Sequence, residues 1–191
     1  MWFKVFKLPL PPLHMLSVLW LNFKWEKYFD PVGLVISSII LDLEPFLVLI
    51  FDLPYLVHGF WHSYLAGFIV SLLLAPVLYV LEKELREKVL KICRLFRLKF
   101  YGFPYSFSII FLNCLLGTSL HVFLDSFTHE RLPYVLFPLY VFGGHSNPFW
   151  FGINVAMIFE LATIGLSLFS CMLWLKYYLN NLKQWLGGQR F

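Results

Sequence analysis

The stretch GFWHSYLAGFIVSLLLAPVLYVL, Gly59–Leu81, decides the fold. It holds 23 residues with no ionisable side chain in its apolar body except His62 near the start. At the rise of an α-helix it is about 35 Å long, enough to cross a hydrocarbon core of about 30 Å. The chain then changes character at once. Seven of its 15 Lys and Arg residues fall between Lys83 and Lys99, among Glu82, Glu84 and Glu87. An uncharged crossing followed by a basic stretch reads as a membrane span and its cytoplasmic loop, here about residues 82–104, with an amphipathic helix lying at anionic headgroups.

Working outward, four more apolar segments have the length or pattern of helices. The first, about Leu8–Phe23, is approached through Pro9, Pro11 and Pro12, so its helix should start near Pro12. The second spans Val32–Val57 and is broken at Pro45. The others are Ser106–Phe127 and about Phe151–Tyr178. Leu132–Phe142 is apolar but too short to cross. With Pro133, Pro138, Gly143 and Gly144 it reads as an interfacial or re-entrant piece. The predicted fold is an all-α polytopic transmembrane bundle of about five spans, one domain over residues 1–191. If the first segment only lies on the inner surface, the span count is four.

Composition agrees. The 191 residues are 60% hydrophobic and only 14% charged, whereas soluble domains carry about a quarter charged residues. The start, Met1-Trp2-Phe3-Lys4, lacks the pattern of a removable signal peptide. Cys93, Cys114 and Cys171 are scattered and form no C-x-x-C pair, which argues against a disulfide framework and a thiolate zinc site. The net charge of +4 is concentrated in the membrane-proximal loop, so a nucleic-acid partner is not expected. With that loop inside, alternation puts 12 basic residues inside, including Lys24, Lys27, Lys176, Lys183 and Arg190. Three, Lys4, Lys7 and Arg131, fall outside. This obeys the positive-inside rule for a multi-pass cell-membrane protein with a cytoplasmic C-terminus.

Ionisable residues at membrane depth are costly, about 2.5–3.5 kcal/mol each on insertion scales, and so become functional candidates. Asp42 and Glu44 precede Pro45, which disfavours helical geometry at Glu44. Two carboxylates at a helix's carbonyl-bearing end need a cation or protons. His58 and His62 are four apart and would share a face if helical; otherwise they are interfacial histidines beside an aromatic belt. His121 and Asp125 share a helical face, as two ligands, as a ligand with its orienting acid, or as a pair that merely joins helices. His14 opens the first helix, where a lone histidine would ordinarily be interfacial. Glu160 has no basic neighbour in sequence and requires a metal, a histidine or a proton. Counted along their helices, these groups fall at similar depth in the outer half of the membrane, which points to one shared cation.

Nitrogen and oxygen ligands without thiolate suit Zn2+ first, with Mn2+ or Fe2+ as alternatives, as one ion or two. The expected metal ligands are His14, Asp42, His62, His121 and Asp125, with His58 and His129 as additional candidates. Glu44 and Glu160 are expected as further ligands or as the general base.

The motifs Leu13-His14, Leu41-Asp42-Leu43-Glu44-Pro45, Trp61-His62-Ser63 and His121-Val122-Phe123-Leu124-Asp125-Ser126-Phe127-Thr128-His129 resemble those of the YdjM-like family of membrane-bound hydrolases. That family's pattern has Ser/Thr-His, Pro-Asp-x-Asp/Glu, Thr-His-Ser and His-x-x-x-Asp-x-x-Thr-His. Leu41 stands where the family has Pro and Trp61 where it has Thr; neither change removes a ligand. The resemblance covers most of the chain in order and implies metal-dependent hydrolysis, with no substrate specified. The expected activity is cleavage of a phosphoester or ester in a lipid-like substrate, which reaches an intramembrane site sideways. The rival expectations are a small ion- or proton-coupled transporter and a non-catalytic scaffold whose polar residues hold helices together.

Overall fold

The computed structural model describes residues 11–96, 98, 100–139 and 147–187, and among these the chain is helical with no strand. Its α-helices are α1 (Pro11–Lys24), α2 (Pro31–Ile39), α3 (Leu43–Ile50), α4 (Tyr64–Glu84), α5 (Arg86–Leu95), α6 (Phe107–Thr128) and α7 (Ile153–Gly187). Short 3-10 turns occupy Ile40–Asp42, between α2 and α3, and Phe60–His62, before α4. Lys4, Lys7, Arg190 and the 140–144 part of the expected re-entrant piece lie outside the described residues.

Four stretches are long and apolar enough to cross a membrane: Pro31–Ile50, Tyr64–Glu84, Phe107–Thr128 and Ile153–Asn180. The chain is therefore a multi-span membrane protein. The fifth element of the expected bundle is α1, whose 14 described residues are about 21 Å long. It packs along α7 and α2, and its Leu13 carbonyl accepts a hydrogen bond from Ser167 Oγ at 3.1 Å.

Local chemistry sets the helix ends. Asp30 caps α2, its carboxylate accepting from Val32 N at 2.9 Å and Gly33 N at 2.6 Å, with Pro31 in the first turn. Ser63 caps α4 through Ala66 N at 3.1 Å, and Ser106 caps α6 through Ile109 N at 3.4 Å. The second segment breaks earlier than Pro45 itself suggests. A proline ring clashes with the carbonyl four residues back, which here belongs to Leu41, and the 3-10 turn falls on Ile40–Asp42. Pro45 then sits in the first turn of α3, where it is tolerated.

The spine is α6, packed against α2, α4 and α7. Close approach depends on small residues. A Cβ added at Gly117 would collide with Ser37 Oγ and stand 3.0 Å from the Leu34 carbonyl oxygen. Against α4, Thr118 and Ser71 join their hydroxyls at 2.9 Å, while Ser71 Oγ donates to the Gly67 carbonyl at 2.7 Å. Such contacts associate helices where lipid offers no hydrophobic contrast. Near the basic α5 the core comprises Ala75, Leu78, Leu90, Phe103, Tyr105, Ile110 and Cys114. At the other end Leu41 and Val122 pack with Leu132 and Val135. The first part of the expected interfacial piece is thus buried in protein, Leu132 and Val135 being fully covered and the Val135 carbonyl accepting from Tyr64 N at 3.2 Å, while Pro138 and Leu139 at its described end are exposed.

Gly117→Ala should force α2 and α6 apart and destabilise the protein by about 1–3 kcal/mol, as overpacking does in close-packed cores. Thermal unfolding in detergent checks this; an unchanged melting temperature would contradict the packing described.

Candidate metal centre

At the end of the bundle away from α5, histidines and acids from separate elements converge on Asp125. Asp125 and His121 lie one turn apart on α6, so their side chains share a face. His121 Nε2 is 3.2 Å from Asp125 Oδ2 and 3.6 Å from Asp42 Oδ1. His62 Nε2 is 3.5 Å from Asp125 Oδ2. His14 Nε2, from α1, is 3.4 Å from Asp125 Oδ1. One donor atom from each of Asp42, His62, His121 and Asp125 lies within 4.8 Å of the others. His58, Asp125 and His129 form a second such group, which shares Asp125 with the first.

These spacings suit a cation better than direct hydrogen bonds. Two donors each about 2.1 Å from a tetrahedral ion stand about 3.4 Å apart. His62 Nε2, His121 Nε2, Asp42 Oδ2 and both Asp125 carboxylate oxygens are buried with no hydrogen-bond partner, as are both nitrogens of His14. Buried polar atoms are almost always satisfied, so this many orphans facing one another mark a place where residues present could hold a divalent metal ion.

The opposite ring edges are fixed. His121 Nδ1 donates to the Ser38 carbonyl at 2.8 Å, and His62 Nδ1 donates to Glu44 Oε2 at 2.9 Å. Each bond places the proton on Nδ1 and leaves the Nε2 lone pair directed at the carboxylates. Thr128 Oγ1 donates to the Leu124 carbonyl at 3.1 Å and stands 2.9 Å from His129 Nδ1, which holds the third imidazole. Asn147 Nδ2 donates to the carbonyls of Ser126 at 2.7 Å and His129 at 2.5 Å, tying the chain after α6 to the cluster. Among the described residues the rings of His14 and His121 lie 4.4 Å apart, those of His58 and His62 4.6 Å, and those of His58 and His129 4.1 Å. Burial pushes the His58 imidazole down to about 3, so it is neutral and able to ligate.

The structure brings together His14, Asp42, His58, His62, His121, Asp125 and His129. His58 and His62 do so without a shared helix: His58 lies in the loop before α4 and His62 in the 3-10 turn, ahead of the Ser63 cap. Glu44 stands behind His62. Its Oε2 accepts from His62 Nδ1 and from Gly59 N at 3.0 Å, the position of a carboxylate that orients a ligand. Gly59 is needed for that approach, since a Cβ there would come within 2.6 Å of Glu44 Oε1. Glu160 is not brought to the cluster; it is exposed on α7. The described part of α1 reaches α7 at the level of Ser167, seven residues or about 10 Å past Glu160.

Sequence reading missed Ser38 and Asn147. Ser38 acts through its main-chain oxygen, in the last turn of α2, where carbonyls lack a helical partner. Only the early end of α2 signals it. Asn147 bonds backbone alone, and no spacing rule singles it out.

A family model described as a domain of unknown function (DUF4184) matches residues 8–137, and the chain belongs to that family. The matched stretch contains every residue of the cluster and ends before α7. No curated protein and no solved structure matches the chain.

Glu44→Ala should leave the bundle folded and weaken divalent-metal affinity by roughly 10–100-fold, the usual cost of removing a ligand-orienting partner. Metal competition titration checks it; an unaltered affinity would remove Glu44 from the site.

Proposed function

We propose that this DUF4184 chain is a membrane-embedded metal-dependent hydrolase that cleaves a phosphoester or ester in a lipid-like substrate. The single observation that carries the reading is the group Asp42, His62, His121 and Asp125, whose buried donor atoms face one another within 4.8 Å. The mixed nitrogen and oxygen donors favour Zn2+, with Mn2+ or Fe2+ next. The two groups share Asp125, so one ion would be held by Asp42, His62, His121 and Asp125 and a second by His58, His129 and Asp125, with His14 close to Asp125. Such ions would supply Lewis acidity and a nucleophilic water at neutral pH.

The chain's own residues provide the rest. Ser38 and Glu44 hold His121 and His62 in the tautomer that ligates. The covering of Leu41, Val122, Leu132 and Val135 excludes water from one flank and so strengthens every charge interaction inside. By the positive-inside rule the basic α5 would face the cytoplasm, which would put the cluster, at the other end of the bundle, toward the outer side of the membrane. The motif resemblance to YdjM-like hydrolases supports the same activity. The segment from Pro31 to Tyr64, which carries Asp42, His58 and His62, has no Lys or Arg, so a membrane lipid is the partner proposed, and nucleic acid is not.

Elemental analysis of detergent-purified protein should find divalent metal at up to two ions per chain. His121→Ala should lose metal from the first group, and Asp125→Ala from both, with helical circular dichroism retained. Stoichiometric metal unchanged in both variants would refute the reading. If metal is bound and lost as expected but no phospholipid or ester is hydrolysed, the metal site stands and the activity falls.

A further inference from the structure

We infer that the metal centre opens sideways into the bilayer, between α3 and the Phe60–His62 turn, and admits the polar head of an acyl-chain lipid whose tail rests on Leu43, Phe46 and Leu47. This rests on the proposed metal site and lipid substrate and adds where the opening lies and which side chains meet the lipid.

The cluster is sealed nearly everywhere. His62, His121 and Asp125 side chains have no exposed surface, and His14 has 2%. The two acids of the first span differ: Asp42 retains 13% and Glu44 16%. These are the open side of the site. Their neighbours on α3 are exposed large apolar side chains, Leu43 at 48% and Phe46 at 57%, with Leu47 beside them. Across Glu44 lies the turn it grips through Gly59 N and His62 Nδ1, where Phe60 and Trp61 are exposed as well.

Charge and depth choose the occupant. From Pro31 to Tyr64 the charged residues are Asp42, Glu44 and Asp52, with no Lys or Arg. This flank offers a soluble anion no cationic rim; the exposed Arg131, two residues after His129, belongs to a different segment. Asp42 and Glu44 precede Ile50, the end of the first span, by eight and six residues, about 9–12 Å along the helix axis. Glu44 meets His62, which lies just before the next span begins at Tyr64, so the opening sits toward the outer edge of the hydrocarbon, where its rim of leucine and phenylalanine faces acyl chains. A lipid already in the leaflet slides its linkage to the ions while its chain stays on α3. A water-borne substrate would have to lose its hydration to pass the same rim.

The test uses two chelators on the full-length protein, loaded with Zn2+ and held in phosphatidylcholine nanodiscs. 1,10-Phenanthroline partitions into bilayers; EDTA is excluded from them. The expected result is loss of the ion to phenanthroline and retention against EDTA over the same time, with EDTA removing it after SDS denaturation. Equal loss to both chelators would mean a water-facing opening and overturn the lateral route, leaving the metal site intact. Retention against both would mean a closed site and also overturn it. If the untreated protein holds no Zn2+, the metal reading fails and the route falls with it.

Discussion

The carboxylate of Asp125 is the constraint around which this protein is arranged. It is fully buried, neither oxygen has a hydrogen-bond partner, and imidazole nitrogens from α1, α6 and the turn before α4 stand 3.2–3.5 Å away. An unpaired buried charge is among the costliest features a fold can carry. None of these nitrogens makes a hydrogen bond to it, and the ring protons of His121 and His62 are committed elsewhere. Burial also holds His58, in the loop before α4, in its neutral form. A cation among these donors resolves the cost for all of them together.

Two interruptions of regular helix make the convergence possible. The 3-10 turn at Ile40–Asp42 swings Asp42 toward α6, and the turn at Phe60–His62 drops His62 inward before α4 begins. Irregular backbone at membrane depth is tolerated where protein buries it or where it lines a cavity. Here protein supports both turns: Leu41 is covered by Val122, Leu132 and Val135, and Glu44 takes the Gly59 N–H. The breaks are thus supported by the same contacts that orient the ligands. Disturbing one disturbs the other.

Helix packing fixes the remaining coordinate, the depth at which α1, α2 and α6 meet. Gly117 lets α6 settle against the Leu34 carbonyl and Ser37, and from that register His121 reaches the Ser38 carbonyl one residue farther on. Ser167 on α7 anchors α1 by the Leu13 carbonyl, the residue before His14. Small and hydroxylated residues therefore do more than join helices: they set the ångström-scale alignment on which 3.2–3.6 Å donor spacings depend.

By itself the sequence determined that the chain crosses a membrane, roughly where its helices fall, though the second segment stops at Ile50 rather than Val57 and the last runs on to Gly187, and which side chains were too expensive to be there without a purpose. Those follow from local properties, hydropathy along the chain and the cost of burying charge, and the i, i+4 pairing of His121 with Asp125 is likewise local. It could not determine that His58 and His62 meet off-helix, since the Ser63 cap and the turn before it were hidden inside a continuous apolar run. Nor could it separate Glu44, which grips His62, from Glu160, which the structure leaves exposed on α7. Both are acids in apolar sequence with no basic residue beside them, and hydropathy assigns them the same cost. Which face of a helix meets a neighbour, and at what height, depends on contacts between residues far apart in the chain, and only the packed bundle decides it.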